Sequence, residues 1–347
     1  MIRPGPRNLI TDVPGISVGN AEDRRAVSGV TVVLPEQRAV AGVAALGGAP
    51  GTRETDALDP SCLVEAVDAV VIAGGSVYGL DAAGGVASWL GAHGRGYRIG
   101  SAVAPIVPAA ILFDLANGGD KQWGEEPPYR RLGREAAEAA AADFALGNAG
   151  AGLGARAGRL KGGLGSASFV LEGAEGGFAV GALAAVNCLG SVLIPGSRTF
   201  WAWPLEQDDE FGGPHPQPAA LAGEGLDHAL DRPLGASTTL AVIATDLALD
   251  KAQAERIAIM AHDGLARAVR PAHTPLDGDC VFVLATGARE LLPDPVAGLA
   301  RLGMLAADCL ARAVARGVYE AETLGAMPGY RTLEKTAGRS NRRMQKP

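Results

Sequence analysis

The chain has 347 residues, 48% of them hydrophobic, and a formal net charge of -7. That is enough apolar material for one large domain with a sizeable buried core, and it excludes a disordered chain. The acidic balance argues against a nucleic-acid partner, because phosphate binding draws on clustered Lys and Arg; the basic stretch at 339–346 reads as a solvated terminus.

The first twenty residues, MIRPGPRNLITDVPGISVGN, lack the apolar stretch of a secretory signal, and no later run gives eighteen uninterrupted apolar residues. The expectation is a cytoplasmic protein with no membrane partner. Glycines cluster in LGGAPGT (46–52), AGGSVYG (73–79), GNAGAGLGARAG (147–158) and LKGGLG (160–165), where the backbone turns tightly or approaches something closely. Between them, VEAVDAVVIAGG predicts a strand closing in glycines and LDAAGGVASWLGAHG the amphipathic helix after it. The stretch YRRLGREAAEAAAADFA predicts a helix on propensity alone. Four strand-like segments follow: SASFVLEG, GFAVGALAAVNCLGSVLI, TTLAVIATD and CVFVLAT, each rich in β-branched residues. Asp250 is the expected N-cap of a helix over KAQAERIAIMAHDGLARAV, with Gln253 placed for a capping box. Residues 203–234 show no period of 2 or 3.6 over most of their length and predict a mobile surface segment leading to Thr238.

Most of the candidate chemistry has an ordinary structural reading. The run GNAGAGLGARAG is spaced wrongly for a dinucleotide fingerprint and follows a helical rather than a strand-like stretch, so no cofactor is expected. AGGSVYGL lies between strand and helix like a nucleophile elbow, but Tyr78 occupies the place of the second glycine. A Ser-His-Asp triad stays open as the runner-up chemistry, since triads assemble in space. His93, His215, His228, His262 and His273 form no metal-ligand pattern. Cys62, Cys188, Cys280 and Cys309 lie far apart with no C-x-x-C spacing, so no metal is expected and each reads as a small buried apolar residue. In HTPLDGDCVFVLATG, Asp277 and Asp279 stand two apart before a strand; they are either a turn or a pair of carboxylates aimed at one side. Lys161 reads as a cation beside a glycine turn, and Asn187 as a strand-end amide. Thr238 and Thr239 read as β-formers, or one of them as a nucleophile needing an adjacent base, for which its own freed α-amino group is one solution.

Taken together, NLITDVPGISVGN, AGGSVYGLDAAGGVASWL, GNAGAGLGA with GRLKGGLGSAS, GALAAVNCLGSV, ASTTLAVIATD and HTPLDGDCVFVLATG resemble, in this order, the L-aminopeptidase/D-esterase family of self-processing hydrolases, from residue 8 to about 315. The paired aspartates resemble the branch that includes 6-aminohexanoate-oligomer (nylon-oligomer) hydrolases. The resemblance implies an α+β, N-terminal-nucleophile-like fold of four αββα layers, made as one hydrolase domain (1–347) and cut between Ser237 and Thr238 into chains 1–237 and 238–347. It implies Thr238 as nucleophile and Lys161, or its neighbour Arg159, as the pocket cation. It also implies Asn187 as oxyanion donor, Tyr78 at the same pocket, and Asp277 and Asp279 orienting the hydroxyl and amine. The relatives usually carry Asn where Ser237 stands, a change that bears on the rate of processing. The expected activity is hydrolysis of small peptides, amino-acid amides or oligoamides, without cofactor, by a homo-oligomer of cleaved units. The competing expectation is an uncleaved family member that binds an amino acid or peptide without turning it over. An arginine-biosynthetic acyltransferase using the same threonine logic is weakened by the missing blocks.

Overall fold

The computed structural model describes residues 1–172, 177–213, 237–291 and 293–333. Its strands are β1 (Ile2–Arg3), β2 (Ile16–Asp23), β3 (Ser28–Pro35), β4 (Val40–Ala45), β5 (Thr52–Arg53), β6 (Val70–Ala73), β7 (Tyr97–Ile99), β8 (Ala102–Ala104), β9 (Ala109–Ile111), β10 (Arg156–Ala157), β11 (Leu160–Lys161), β12 (Gly163–Leu171), β13 (Ala179–Asn187), β14 (Thr238–Leu247) and β15 (Cys280–Arg289). The α-helices are α1 (Asp81–Ala92), α2 (Tyr129–Glu138), α3 (Lys251–Ala268) and α4 (Pro295–Glu320).

Two sheets carry the architecture. One runs β1-β12-β13-β14-β15-β4, the other β2-β3-β6-β9-β5. Strand β14 pairs antiparallel with β13 and parallel with β15, which places it at the centre of the larger sheet. Both faces of this sheet are covered, so its middle strands read as continuous apolar runs. Alternation assigns the faces. Leu240, Val242 and Ala244 of β14, with Phe282 and Leu284 of β15, join Val18, Val33 and Ile72 in the layer between the sheets. Their neighbours Ala241, Ile243, Val281 and Val283 pack beneath α3 and α4 with Ile257, Leu265 and Leu310. The outer face of the smaller sheet is closed by α1 and α2 through Val86, Leu90 and Leu132. The order of layers is therefore α, β, β, α, as expected.

Asp250 caps α3 as its sequence predicts: its carboxylate accepts the Gln253 N–H at 2.7 Å, and the Gln253 side chain accepts the Asp250 N–H at 3.0 Å. Helix α2 stops at Glu138, short of the Ala-rich stretch expected to continue it, because Ala141 leaves to exchange two hydrogen bonds with Val18 of β2, each 3.0 Å. Tertiary pairing overrides propensity there.

Two expectations are corrected. Cys62 is exposed, whereas Cys188, Cys280 and Cys309 are buried as expected. The start of the 203–234 stretch is anchored rather than mobile: Glu210 accepts two bonds from Arg312, which is 0% exposed, and Phe211 packs edge-on against Phe200. Positions 214–234 of that expectation, His215 and His228 included, lie outside the described residues. No described helix is long and apolar enough to cross a membrane.

Candidate active site

Thr238 opens β14 on the face that it shares with Leu240 and Val242, toward the opposite sheet, while Thr239 belongs to the α3/α4 side. Asn187, the last residue of β13, is its partner in the antiparallel register and shares that inner face with Leu183 and Ala185. Thr238 is 3% exposed, and its hydroxyl donates to the Ser237 carbonyl at 2.6 Å. The same carbonyl accepts the Gly278 backbone N–H at 2.9 Å. The Ser237–Thr238 peptide bond thus lies where two strands meet a tight turn, its oxygen held from two directions.

That turn carries the paired carboxylates, and both readings of the D-G-D motif hold in part. Asp277 caps its own loop, accepting the Thr274 N–H at 2.9 Å and hydroxyl at 2.6 Å, and also reaches the Leu189 N–H at 3.3 Å. Burial, and then the charge of Asp279, push its pKa above the ordinary carboxylate range. Asp279 accepts the Thr239 N–H at 2.7 Å through one oxygen, and through the other the backbone N–H and ring Nδ1 of His273 at 3.1 and 2.8 Å. Gly278 separates the two with no side chain. A Cβ there would stand 2.7 Å from both the Thr238 hydroxyl and the Ala49 carbonyl.

Lys161, at the end of a two-stranded ribbon, is 1% exposed and donates to the carbonyls of Gly152 and Gly162 at 2.8 and 2.7 Å. Among the described residues no carboxylate pairs with it. Burial draws its pKa down to about 7, against a small opposing pull from Asp114. The positive charge expected of it is therefore only partly present at neutral pH. A neutral amine has two N–H donors, both engaged here, and one lone pair left to take a proton.

Asn187 is fixed by the Arg156 N–H on its amide oxygen at 2.9 Å and by its own amide donating to the Phe113 carbonyl at 3.0 Å. Ser237, Thr238, Asn187, Asp277 and Asp279 are thereby connected in one buried cluster. Tyr78 is 46% exposed and packs edge-on against Trp123 at 5.7 Å between ring centroids. Gly278 and His273 were not singled out from the sequence, the first because its contribution is a backbone N–H, the second because its partner is set only by the fold. A cleft of about 720 Å³ shares supports with the cluster, but Thr238, Lys161, Asn187, Asp277 and Asp279 do not line it. Its walls include Arg156, which holds Asn187, Leu189, which holds Asp277, and Pro328, whose carbonyl accepts the Lys161 N–H at 2.9 Å. No group of three or more His, Cys, Asp or Glu among the described residues is placed to hold a metal ion.

Residues 8–332 match the sequence pattern of peptidase family S58. An uncharacterized aminopeptidase of Mycobacterium tuberculosis is 48% identical, covering 94% of this chain and 98% of its own. A 6-aminohexanoate-oligomer endohydrolase of Kocuria is 29% identical over 86% of this chain and 81% of its own. Among solved structures, the L-aminopeptidase D-Ala-esterase/amidase of Ochrobactrum anthropi, described as a variant of the Ntn hydrolase fold, superposes with a TM-score of 0.68 at 22% identity, covering 98% of this chain and 96% of that one. A Burkholderia β-aminopeptidase superposes with a TM-score of 0.69 at the same identity and coverage. These two likenesses establish the fold.

Proposed function

The chain belongs to peptidase family S58, and from that premise we propose that it is a self-processing amide hydrolase whose nucleophile is Thr238. The observation that carries this reading is the Ser237 carbonyl held by Gly278 N–H beside the Thr238 hydroxyl, within a buried cluster that also contains Asn187 and both aspartates. In processing, the Thr238 hydroxyl gives its proton to a base and its oxygen attacks the Ser237 carbonyl carbon. The C–N bond then breaks, the leaving amine takes a proton, and water opens the resulting ester. The products are a carboxylate on Ser237 and a free α-amino group on Thr238. Lys161, poised near 7, suits the first proton transfer. Gly278 N–H, with Asn187 nearby, suits the oxyanion; one such donor is worth about 3 to 4 kcal/mol in comparable sites.

In the mature enzyme the new amine, with an ordinary pKa of about 7.7 to 8.0, serves as the base for the hydroxyl beside it. The hydroxyl then attacks the carbonyl of a substrate amide, the amine product leaves, and water hydrolyses the acyl ester. Asp279, bound to Thr239 N–H, orients this end of the strand. The chain's similarity to an aminopeptidase and to a 6-aminohexanoate-oligomer endohydrolase favours small peptides, amino-acid amides or short oligoamides as substrates. Assembly of cleaved units into a homo-oligomer belongs to the same proposal.

Intact-mass spectrometry of the purified protein tests the reading. Two species, residues 1–237 and 238–347, together with turnover of an amide panel that includes 6-aminohexanoate oligomers, support it. A single full-length species that hydrolyses none of them would favour an uncleaved binding protein instead.

A further inference from the structure

We propose that His273 is the positioning residue of this site, holding the Asp279 carboxylate so that its other oxygen stays on the Thr239 N–H, one residue from the nucleophile. The inference rests on Thr238 being that nucleophile. Four observations converge on it. First, Asp279 is gripped twice by one residue, through the backbone N–H of His273 at 3.1 Å and its ring Nδ1 at 2.8 Å. Second, His273 adopts a φ of +56°, a left-handed conformation that non-glycine residues seldom occupy, and in it the backbone N–H and ring meet the same oxygen. Third, the Asp279 carboxylate is the one side-chain group that the ring bonds among the described residues. Fourth, the back of the ring is packed by His262 of α3, edge-on with 4.8 Å between centroids, and His262 is itself fixed by its Nε2 on the Ala44 carbonyl at 2.9 Å.

The charges around His273 make this a pair rather than a spacer. It faces Asp279 and Asp277 on the turn and His262 on α3, with Asp263 beyond. Burial pushes His262 down to about 4, so it is neutral at physiological pH and adds no repulsion there. For His273, burial acts downward, yet the hydrogen bond and charge of Asp279, with Asp277 behind it, outweigh burial and leave its pKa above 6.5. The ring thus sits beside two carboxylates that stand two residues apart across a single glycine, and its two contacts fix the geometry of Asp279.

The test uses the full chain with His273→Leu, which has neither donor nor charge, and His273→Asn, which keeps a short donor without charge. One amino-acid p-nitroanilide serves as substrate. His273→Leu is expected to lower kcat about tenfold or more with KM within about threefold, and His273→Asn to recover most of that loss. The acid limb of kcat in His273→Leu should move to higher pH, because the site has lost a protonatable ring that faces Asp277 and Asp279. A role in stability alone would leave that limb in place. Ring titration by NMR needs no turnover: the His273 midpoint should lie above 6.5 in the wild type and fall in Asp279→Asn. A folded His273→Leu protein with the wild-type kcat and acid limb overturns the inference, as does a ring midpoint unmoved by Asp279→Asn. If the wild type neither splits nor hydrolyses amides, the nucleophile assignment fails, and the ring titration still decides whether His273 and Asp279 act as a pair.

Discussion

Gly278 donates its backbone N–H to the carbonyl oxygen of Ser237 at 2.9 Å, across a turn in which any larger residue would press on the Thr238 hydroxyl. The relationship depends on glycine for space, the donor itself being a backbone N–H. A methyl group placed there would stand 2.7 Å from the Ala49 carbonyl and 2.7 Å from the hydroxyl, so one of them must move. Gly278→Ala is therefore expected to slow the appearance of the two chains about tenfold or more, on the order of 1.4 kcal/mol in the barrier, while far-ultraviolet circular dichroism stays that of the wild type. A time course by intact mass decides it; unaltered splitting would remove Gly278 from the oxyanion.

Lys161 yields a prediction whose sign is fixed by its burial. Its pKa is about 7 in the folded chain against 10.5 for the unperturbed side chain, so between those values the unfolded state binds more protons. Stability then rises with pH across this window, by about 1.4 kcal/mol per unit, and the penalty of burying the charge is fully present only below about 7. Lys161→Met abolishes this slope: the stability of the wild type measured against the variant should climb from pH 7 to pH 9. In the same window the wild-type splitting rate should rise through about 7 and level off, while Lys161→Met splits about a hundredfold or more slowly at every pH. Parallel stability curves would show that the lysine is not buried as a near-neutral amine.

The carboxylates are separable by pH. Asp277 is held above the ordinary range by burial and by the charge of Asp279. Asp279→Asn removes that charge, so the Asp277 pKa falls and the acid limb of the rate profile should move to lower pH. The maximal rate should drop about tenfold or more, because the bond to Thr239 N–H weakens. Steady-state rates from pH 4 to pH 8 measure both effects. A normal maximum with an unmoved limb would return the D-G-D motif to a purely structural turn.

What was legible in the sequence follows from what repeats along it. Strands β13, β14 and β15 are buried on both faces over most of their length and leave long apolar runs, and the cap of α3 is written in Asp250 and Gln253. The strand-end positions of Thr238 and Asn187 were legible because each bounds such a run. The length of α2 was not, since Ala141 is claimed by β2 through contacts that only the fold creates. The same holds for the site. Gly278 acts through a backbone group that every residue but proline possesses, so no residue type advertises it. His273 takes its meaning from Asp279, six residues on. The edge-on contact of Tyr78 with Trp123 joins residues 45 positions apart, so no local pattern announces it.

The last prediction separates Thr238 from Thr239. Successive residues of β14 face opposite layers: Thr238 lies on the inner face with Leu240, and Thr239 on the helix side with Ala241. Thr238→Ala should abolish both splitting and hydrolysis, since a methyl group replaces the attacking oxygen. Thr238→Ser should keep both at an altered rate, because the hydroxyl remains. Thr239 contributes its backbone N–H to Asp279, which alanine also supplies, so Thr239→Ala should cost only packing, on the order of 1 kcal/mol in stability, and should still split. Intact mass and thermal midpoints of the three variants measure these effects. A Thr238→Ala protein that still yields two chains would move the nucleophile elsewhere, with Thr239 the first residue to test, because it alone shares the strand end and the contact to Asp279.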